Sequence, residues 1–291
     1  MAHIPTPDAA KLDSIIARVP VLADASDITI GHLHGGLSNT NYLVDADGDK
    51  YVVRIACENW RLLGIDRLRE ESAERQAVAA GISPELVAVF QPDGYSVTRF
   101  LRDAHAVPAD RFASPEMIPR LSSVLRNVHA LEPIEGIFDP FAEIARMADV
   151  LDAHGTPQPA RLGPLIERVT AMGRRLGAID DADLVLCHND PYHLNFLDDG
   201  ARLWLIDWEY AGMGNRMYDL AGVGSVLDGE GRDLLLESYF GSVEPSMRTE
   251  LDTYIEVYVC WNVVWCLIQI EDSAIDYDYM ALAEKILDRL G

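Results

Sequence analysis

Positive charge is scarce in this sequence: 24 Lys and Arg stand against 47 Asp and Glu, a formal charge of −23 over 291 residues. Binding along a nucleic acid relies on Lys and Arg neutralising phosphates, so no nucleic-acid partner is expected. The balance is compatible with a small cationic ligand, although net charge speaks first to solubility. Cysteine is sparse as well. Cys57, Cys187, Cys260 and Cys266 form no CxxC pair and no metal-ligand spacing, and they lie in apolar segments where a free thiol behaves as a small hydrophobe. Nothing in that usage suggests an oxidising compartment. The first thirteen residues lack a basic stretch followed by an apolar run, so no signal peptide is expected. The longest apolar stretch, Tyr254 to Ile270, is broken by Glu256, Asn262 and Gln269 and reads as a buried helix, not a membrane span. Repeats and low-complexity tracts are absent. A soluble, cytoplasmic protein is expected, of one large domain or two lobes.

Strand signals crowd the first hundred residues. Ile28-Thr29-Ile30, Asn41 to Val44 and Tyr51 to Ile55 are β-branched or aromatic runs, the last two separated by a polar turn containing Asp-Gly. Leu86 to Phe90 and Tyr95 to Phe100 flank Pro92-Asp93-Gly94 in the same way. Between them, Asp66 to Ala80 is rich in Arg, Glu, Gln and Ala and stops at Gly81, which predicts one helix. Beyond residue 100 helical spacing takes over, in Pro115 to Leu131, Phe141 to His154, Pro164 to Gly177, Gly231 to Phe240 and Met247 to Ile270. The predicted fold class is α+β: a small amino-terminal antiparallel sheet lobe with one helix (1–100) and a larger, mostly helical lobe (101–291), hinged near Arg99 to Asp103.

Two short apolar runs, Leu184 to Cys187 and Leu203 to Ile206, interrupt the helical pattern and place the residues after them at strand ends. The first leads into His188-Asn189-Asp190-Pro191-Tyr192-His193-Leu194-Asn195, the second into Asp207-Trp208-Glu209. Phosphoryl transfer from ATP needs one carboxylate to orient the attacking hydroxyl, and an amide and a second carboxylate to hold Mg2+. H-x-D-x4-N followed by I-D presents those groups in the order of the protein-kinase catalytic and metal loops. Asp190 is the candidate catalytic base, Asn195 and Asp207 the candidate magnesium ligands, and His188 a brace for the loop through hydrogen bonding. Any one of these Asp residues alone could be a turn or cap residue; the ordered set points to chemistry.

Upstream, Gly35-Gly36-Leu37-Ser38-Asn39 lies between two predicted strands. Glycines let backbone amides approach phosphate oxygens, and Ser38 or Asn39 could add donors. No G-K-[ST] follows, so this is not a Walker A loop. Arg54, on the predicted strand Tyr51 to Ile55, is the candidate cation for the α- and β-phosphates. Glu70 on the following helix could hold it by an ion pair, and Glu71 and Glu74 compete for that role.

With those segments in order, the chain resembles the choline/ethanolamine kinase family within the larger aminoglycoside-phosphotransferase-like group. The resemblance runs from about residue 28 onward. It rests on Gly35 to Tyr42, Val52-Val53-Arg54-Ile55, Ile65-Asp66-Arg67 with Glu70, Gly81-Ile82-Ser83-Pro84, the His188 to Phe196 loop, Ile206 to Gly212, Asp219-Leu220-Ala221, Trp265 to Gln269 and Ile275 to Tyr279. It implies a bilobal, protein-kinase-like fold with ATP in the cleft, the adenine lying against Thr98 to Leu101, Phe100 included. It also implies transfer of the γ-phosphoryl group to the hydroxyl of a small cationic amino alcohol, choline or ethanolamine. On that resemblance Asp190 takes the catalytic position, Asn195 and Asp207 the magnesium positions, Arg54 and Glu70 the phosphate-pairing positions, and Glu209 a place beside the substrate.

The departures concern the acceptor. Pro191 stands where the family usually has Leu, Gly222 and Val226 where eukaryotic members carry an Asn and an acidic residue, and Asn262 where the first Trp of a W-x-x-W pair is expected. A quaternary ammonium is bound by aromatic faces, which leaves Trp265 and Tyr277 as candidate walls and Trp261 as a possible replacement. A primary ammonium calls for carboxylates. An aminoglycoside, thiamine, homoserine or sugar kinase, and a nucleotide-binding pseudokinase, are the alternative readings.

Overall fold

The Asp47-Gly48 dipeptide illustrates how the amino-terminal sheet is built. In a computed structural model, which describes residues 6–177 and 184–290, both residues have positive φ, 54° and 93°. A two-residue hairpin turn matched to the twist of its strands requires that backbone. The turn joins β2 (Thr40–Ala46) to β3 (Asp49–Ile55), with Ala46 opposite Asp49. With β1 (Ile28–Leu33), β4 (Leu86–Phe90) and β5 (Tyr95–Arg99) they form a five-stranded antiparallel sheet in the order β1-β2-β3-β5-β4.

Two helices precede this sheet, so the expectation of a single helix here is incomplete. In α1 (Thr6–Arg18) and α2 (Pro20–Ala23), Leu12, Ile15 and Leu22 join Val44, Val53 and Val97 in a core of their own. Each such side chain contributes about 1.5–3 kcal/mol on burial. The expected helix is α3 (Arg67–Ala79), begun by Asp66, whose carboxylate accepts from the backbone N–H groups of Leu68 and Arg69 at 3.0 and 3.1 Å. Its Ala73 and Ala77 face the larger core.

That larger core is mainly helical. It is built from α4 (Ala109–Phe112), α5 (Ile118–Val128), α6 (Pro140–His154), α7 (Leu162–Leu176), α8 (Arg216–Gly224), α9 (Gly229–Phe240), α10 (Pro245–Asp272) and α11 (Tyr279–Leu287). The long helix α10 packs against α6, α7, α8 and α11. It is long and apolar enough to cross a bilayer, yet 78% of its most apolar stretch is buried within the fold.

Five short strands carry the loops that matter. β6 (His105–Ala106) pairs with β8 (Phe196–Asp198), which pairs with β9 (Leu203–Leu205); β7 (Val185–Cys187) pairs with β10 (Gly212–Gly214). Residues 188–195 therefore connect β7 to β8 and residues 206–211 connect β9 to β10, so both candidate loops hang from paired strands.

Candidate active site

The 188–190 backbone is fixed from below by a buried acid. Asp219 of α8, fully buried, accepts the N–H of His188 at 2.8 Å and of Asn189 at 2.6 Å. It also accepts from His129 Nε2 at 3.0 Å, and His129 Nδ1 meets the Tyr239 hydroxyl at 2.6 Å. Asn189 turns the chain at a φ of 67° and donates its amide to the Tyr210 carbonyl at 2.8 Å. His188 donates from Nε2 to the Ile206 carbonyl at 3.0 Å and accepts the Asp190 N–H on Nδ1 at 3.2 Å. Burial pushes its pKa down, against the field of Asp219. A neutral imidazole thus ties the first loop to the second.

Asp190 is held on both oxygens. Oδ2 accepts from Asn195 Nδ2 at 3.1 Å and Oδ1 from the Tyr258 hydroxyl at 3.3 Å. Burial pushes its carboxyl up to about 7, while those two hydrogen bonds pull the other way. Asn195 Nδ2 also donates to the Asp190 carbonyl at 2.9 Å, so its amide N–H is committed and its oxygen is left as an acceptor. Asp207 adopts a φ of 68°. Its side chain is 35% exposed, yet its Oδ1 is buried and accepts no hydrogen bond among the described residues. Arg54 Nη1 stands 3.6 Å from that oxygen. Burial and then Glu209 raise the Asp207 pKa well above the ordinary carboxylate value, Arg54 opposing them.

The structure selects among the three glutamates of α3. Glu70 forms the ion pair with Arg54. Glu71 is engaged by Arg75 at 2.7 Å and by Gln91 at 2.9 Å, and half-buried Glu74 makes no ion pair among the described residues. Burial works against the Arg54 charge, but Glu70, Glu209 and Asp207 outweigh it and its pKa is raised.

Arg67 has no role that its sequence neighbours reveal. Its buried guanidinium donates from Nη1 to Glu70 at 2.8 Å and to Glu209 at 2.7 Å, producing a chain Arg54–Glu70–Arg67–Glu209. Burial disfavours the Glu209 charge, but Arg67 and Arg54 more than compensate and hold its pKa below the usual value. Glu209, expected beside the substrate, is instead 2% exposed and occupied by Arg67, by the Ser38 hydroxyl at 3.3 Å and by Asn39. An acid so neutralised acts as a strut between the glycine-rich loop and the second candidate loop.

The loop itself is shaped by Gly35, at a φ of 113°, and by Gly36, where a Cβ would run into the Asn39 carbonyl. Leu37 offers its carbonyl to the Tyr279 hydroxyl at 2.8 Å and to Gln269 Nε2 at 3.3 Å. Asn39 is buried and accepts the Cys57 N–H at 3.0 Å, so its side chain braces the segment just after β3 as well as Glu209. Thr98 sits within β5 opposite Val52, and Phe100 leaves the sheet with its N–H on the Lys50 carbonyl at 3.0 Å. Both are half-buried at the exit from the sheet.

The three aromatic candidates separate. Trp261 is 2% exposed and packs edge-on to Tyr210 and Phe138, at centroid distances of 4.7 and 6.0 Å, which makes it a core residue and no substitute for the aromatic missing at Asn262. Trp265 is 9% exposed and donates its indole N–H to the Tyr210 hydroxyl at 2.7 Å. Tyr277 is 48% exposed and lines an open groove with Gln269, Ser273, Asp276 and Tyr279. Asn262 turns its amide back to the Tyr258 carbonyl at 2.9 Å, Val226 is 42% exposed, and Gly222 is buried.

The chain is 27% identical over 242 residues to Protein LicA of Haemophilus influenzae, spanning 80% of this chain and 70% of that protein. It is 25% identical over 300 residues to a probable ethanolamine kinase A of Dictyostelium discoideum, spanning 90% and 84%. It superposes on a choline/ethanolamine kinase family protein from Mesorhizobium loti with a TM-score of 0.78 and 28% identity, over 97% and 93% of the two chains. The model of the phosphotransferase enzyme family matches residues 29–253, and the chain belongs to that family.

Proposed function

We propose that the protein is an ATP-dependent kinase that transfers the γ-phosphoryl group to the hydroxyl of a small amino alcohol, choline or ethanolamine. The observation that carries this is the convergence of Asp190, Asn195 and Asp207 beside the Arg54–Glu70 pair, in a chain similar to choline and ethanolamine kinases. Asp190 accepts the hydrogen bond of the acceptor hydroxyl and aims its oxygen at phosphorus, which is the main task of such a residue in a loose transition state. Arg54 neutralises phosphate oxygens from a position fixed by Glu70. The backbone of Gly35 to Asn39 covers the phosphates, and the adenine lies along Thr98 to Phe100, where the sheet lobe gives way to the helical one near residue 100.

The donor set suits magnesium, a hard cation that prefers oxygen: Asp207 carries a buried Oδ1 that accepts no hydrogen bond among the described residues, and Asn195 has an amide oxygen left over. Held by these two residues, Mg2+ would neutralise charge developing on the phosphate oxygens. Trp265 and Tyr277 supply aromatic faces for the ammonium group, and Asp276 in the same groove supplies a carboxylate.

The test is product formation from ATP and Mg2+ with choline, ethanolamine, thiamine, homoserine, a sugar and an aminoglycoside. Phosphocholine or phosphoethanolamine formed at least tenfold faster than any other product is expected. Turnover confined to another acceptor would replace the substrate class and keep the chemistry. An Asp190→Ala variant that still transfers at the wild-type rate would refute the assignment of the base.

A further inference from the structure

Two of the departures read in the sequence, Pro191 and Gly222, meet in space. A Cβ built on Gly222 would lie 2.7 and 2.9 Å from Cγ and Cδ of Pro191 and 3.2 Å from Cε2 of Tyr258. The proline ring cannot swing aside, and Tyr258 is 1% exposed and packed against Tyr218 at a centroid distance of 5.5 Å. No side chain fits at position 222 unless one of these rings moves. Pro191 follows Asp190 directly, and Tyr258 reaches the Asp190 carboxylate from α10.

We infer that Tyr258 is a positioning residue for Asp190, seated by the Pro191–Gly222 contact, so that the carboxylate is clamped on Oδ1 by Tyr258 and on Oδ2 by Asn195. Both oxygens of a carboxylate must be held if its orientation is to be fixed, and each still has a lone pair for the acceptor hydroxyl. The 3.3 Å separation is long for a hydroxyl–carboxylate pair, as in sites that tighten around their substrate. Burial holds the Tyr258 pKa well above its ordinary value, which keeps the hydroxyl protonated and able to donate. The departures at positions 191 and 222 thus serve the attacking side of the reaction; they are not gaps in an amine pocket. Orientation is the contribution at stake, and small misplacements of a reacting group cost large factors in rate.

This inference rests on the proposed phosphoryl transfer but not on the identity of the acceptor. Tyr258→Phe keeps the ring and removes the hydroxyl. The expected result is a fall in kcat of about tenfold, with KM for ATP and for choline each within twofold of wild type and an unchanged melting temperature. Gly222→Ala, which pushes on the same ring, should lower kcat in the same direction. A kcat for Tyr258→Phe within twofold of wild type would overturn the inference. So would a fall in kcat accompanied by equal changes in both KM values and a lowered melting temperature, because that pattern reports general loosening. If neither choline nor ethanolamine is turned over, the acceptor reading fails on its own. The same comparison is then made on slow hydrolysis of ATP by water, where Asp190 orients the attacking oxygen in the same way, and unchanged hydrolysis in Tyr258→Phe would overturn the positioning role.

Discussion

Replacing Arg67 with Met tests whether the buried charge chain is an electrostatic device. Arg67, Glu70 and Glu209 have side chains 2%, 4% and 3% exposed, so none can turn to water for compensation. Glu70 keeps Arg54 as a partner in the variant. Glu209 keeps hydrogen bonds from Ser38 and Asn39 and the more distant charge of Arg54, but no ion-pair partner among the described residues. Removing one member of a buried pair costs about 3–5 kcal/mol, mostly as the penalty on the charge left behind. For a chain of 291 residues the loss corresponds to a fall in melting temperature of about 5–8 °C. The pH dependence separates a charge effect from lost packing. In the native protein the Glu209 pKa is depressed, so its stabilisation is present above the unfolded value near pH 4.3 and is lost only as pH falls through the lower folded value. In Arg67→Met only Arg54 is left to oppose burial and the Glu209 pKa rises, so the penalty is larger at pH 7.5 than at pH 5, where uptake of a proton relieves it. Denaturant unfolding at both pH values measures this, and Arg67→Met/Glu209→Gln should recover most of the loss. A cost below about 1 kcal/mol at pH 7.5, or an equal cost at both pH values, would refute the reasoning.

Three further outcomes are expected. Tyr279→Phe removes the 2.8 Å hydrogen bond to the Leu37 carbonyl of the glycine-rich loop. It should weaken binding of a non-hydrolysable ATP analogue about fivefold, measured by calorimetry, the worth of one neutral hydrogen bond. Glu74 is pushed up to about 7 by burial, with Arg54 acting against the shift. A raised carboxyl favours the fold below its unfolded pKa near 4.3 and loses that advantage as pH rises towards 7, so Glu74→Gln should match wild type near pH 4 and exceed it by about 1–2 kcal/mol above pH 7. Equal stabilities at pH 8 would count against it. Asp66→Ala strips the cap from α3 and should cost about 1 kcal/mol in denaturant unfolding.

Legibility in the sequence divides along a physical line. The hairpin at Asp47-Gly48, the cap at Asp66 and the strand–loop junctions at Cys187 and Leu205 are dictated by residues within a few positions of one another, and the structure has them where the local chemistry demands. The α1 helix escapes a reading of this kind because its apolar face is short and has meaning only against the sheet that covers it. Partner choice is the harder matter. Arg67 and Glu209 are 142 residues apart, and Tyr279 and Leu37 are 242 apart. Spacing along the chain cannot say which of two nearby carboxylates a guanidinium will reach, so Glu209 looks open to substrate until its partners are in view.

The helix phase of Trp261 poses the same problem. One residue of offset from Asn262 turns a side chain by about 100°, and only the position of Phe138 and Tyr210 shows that this turn leads into the core. Gly222 and Pro191 show the reverse case. As single letters they look like lost recognition groups. Glycine at 222 is what a rigid proline beside Asp190 and the Tyr258 ring together require, and the hydroxyl on that ring is the part of the arrangement that touches the Asp190 carboxylate. The space an acceptor-binding side chain would have taken is therefore filled with groups that hold Asp190. On the proposed function, recognition of the ammonium end falls to the groove lined by Tyr277 and Asp276.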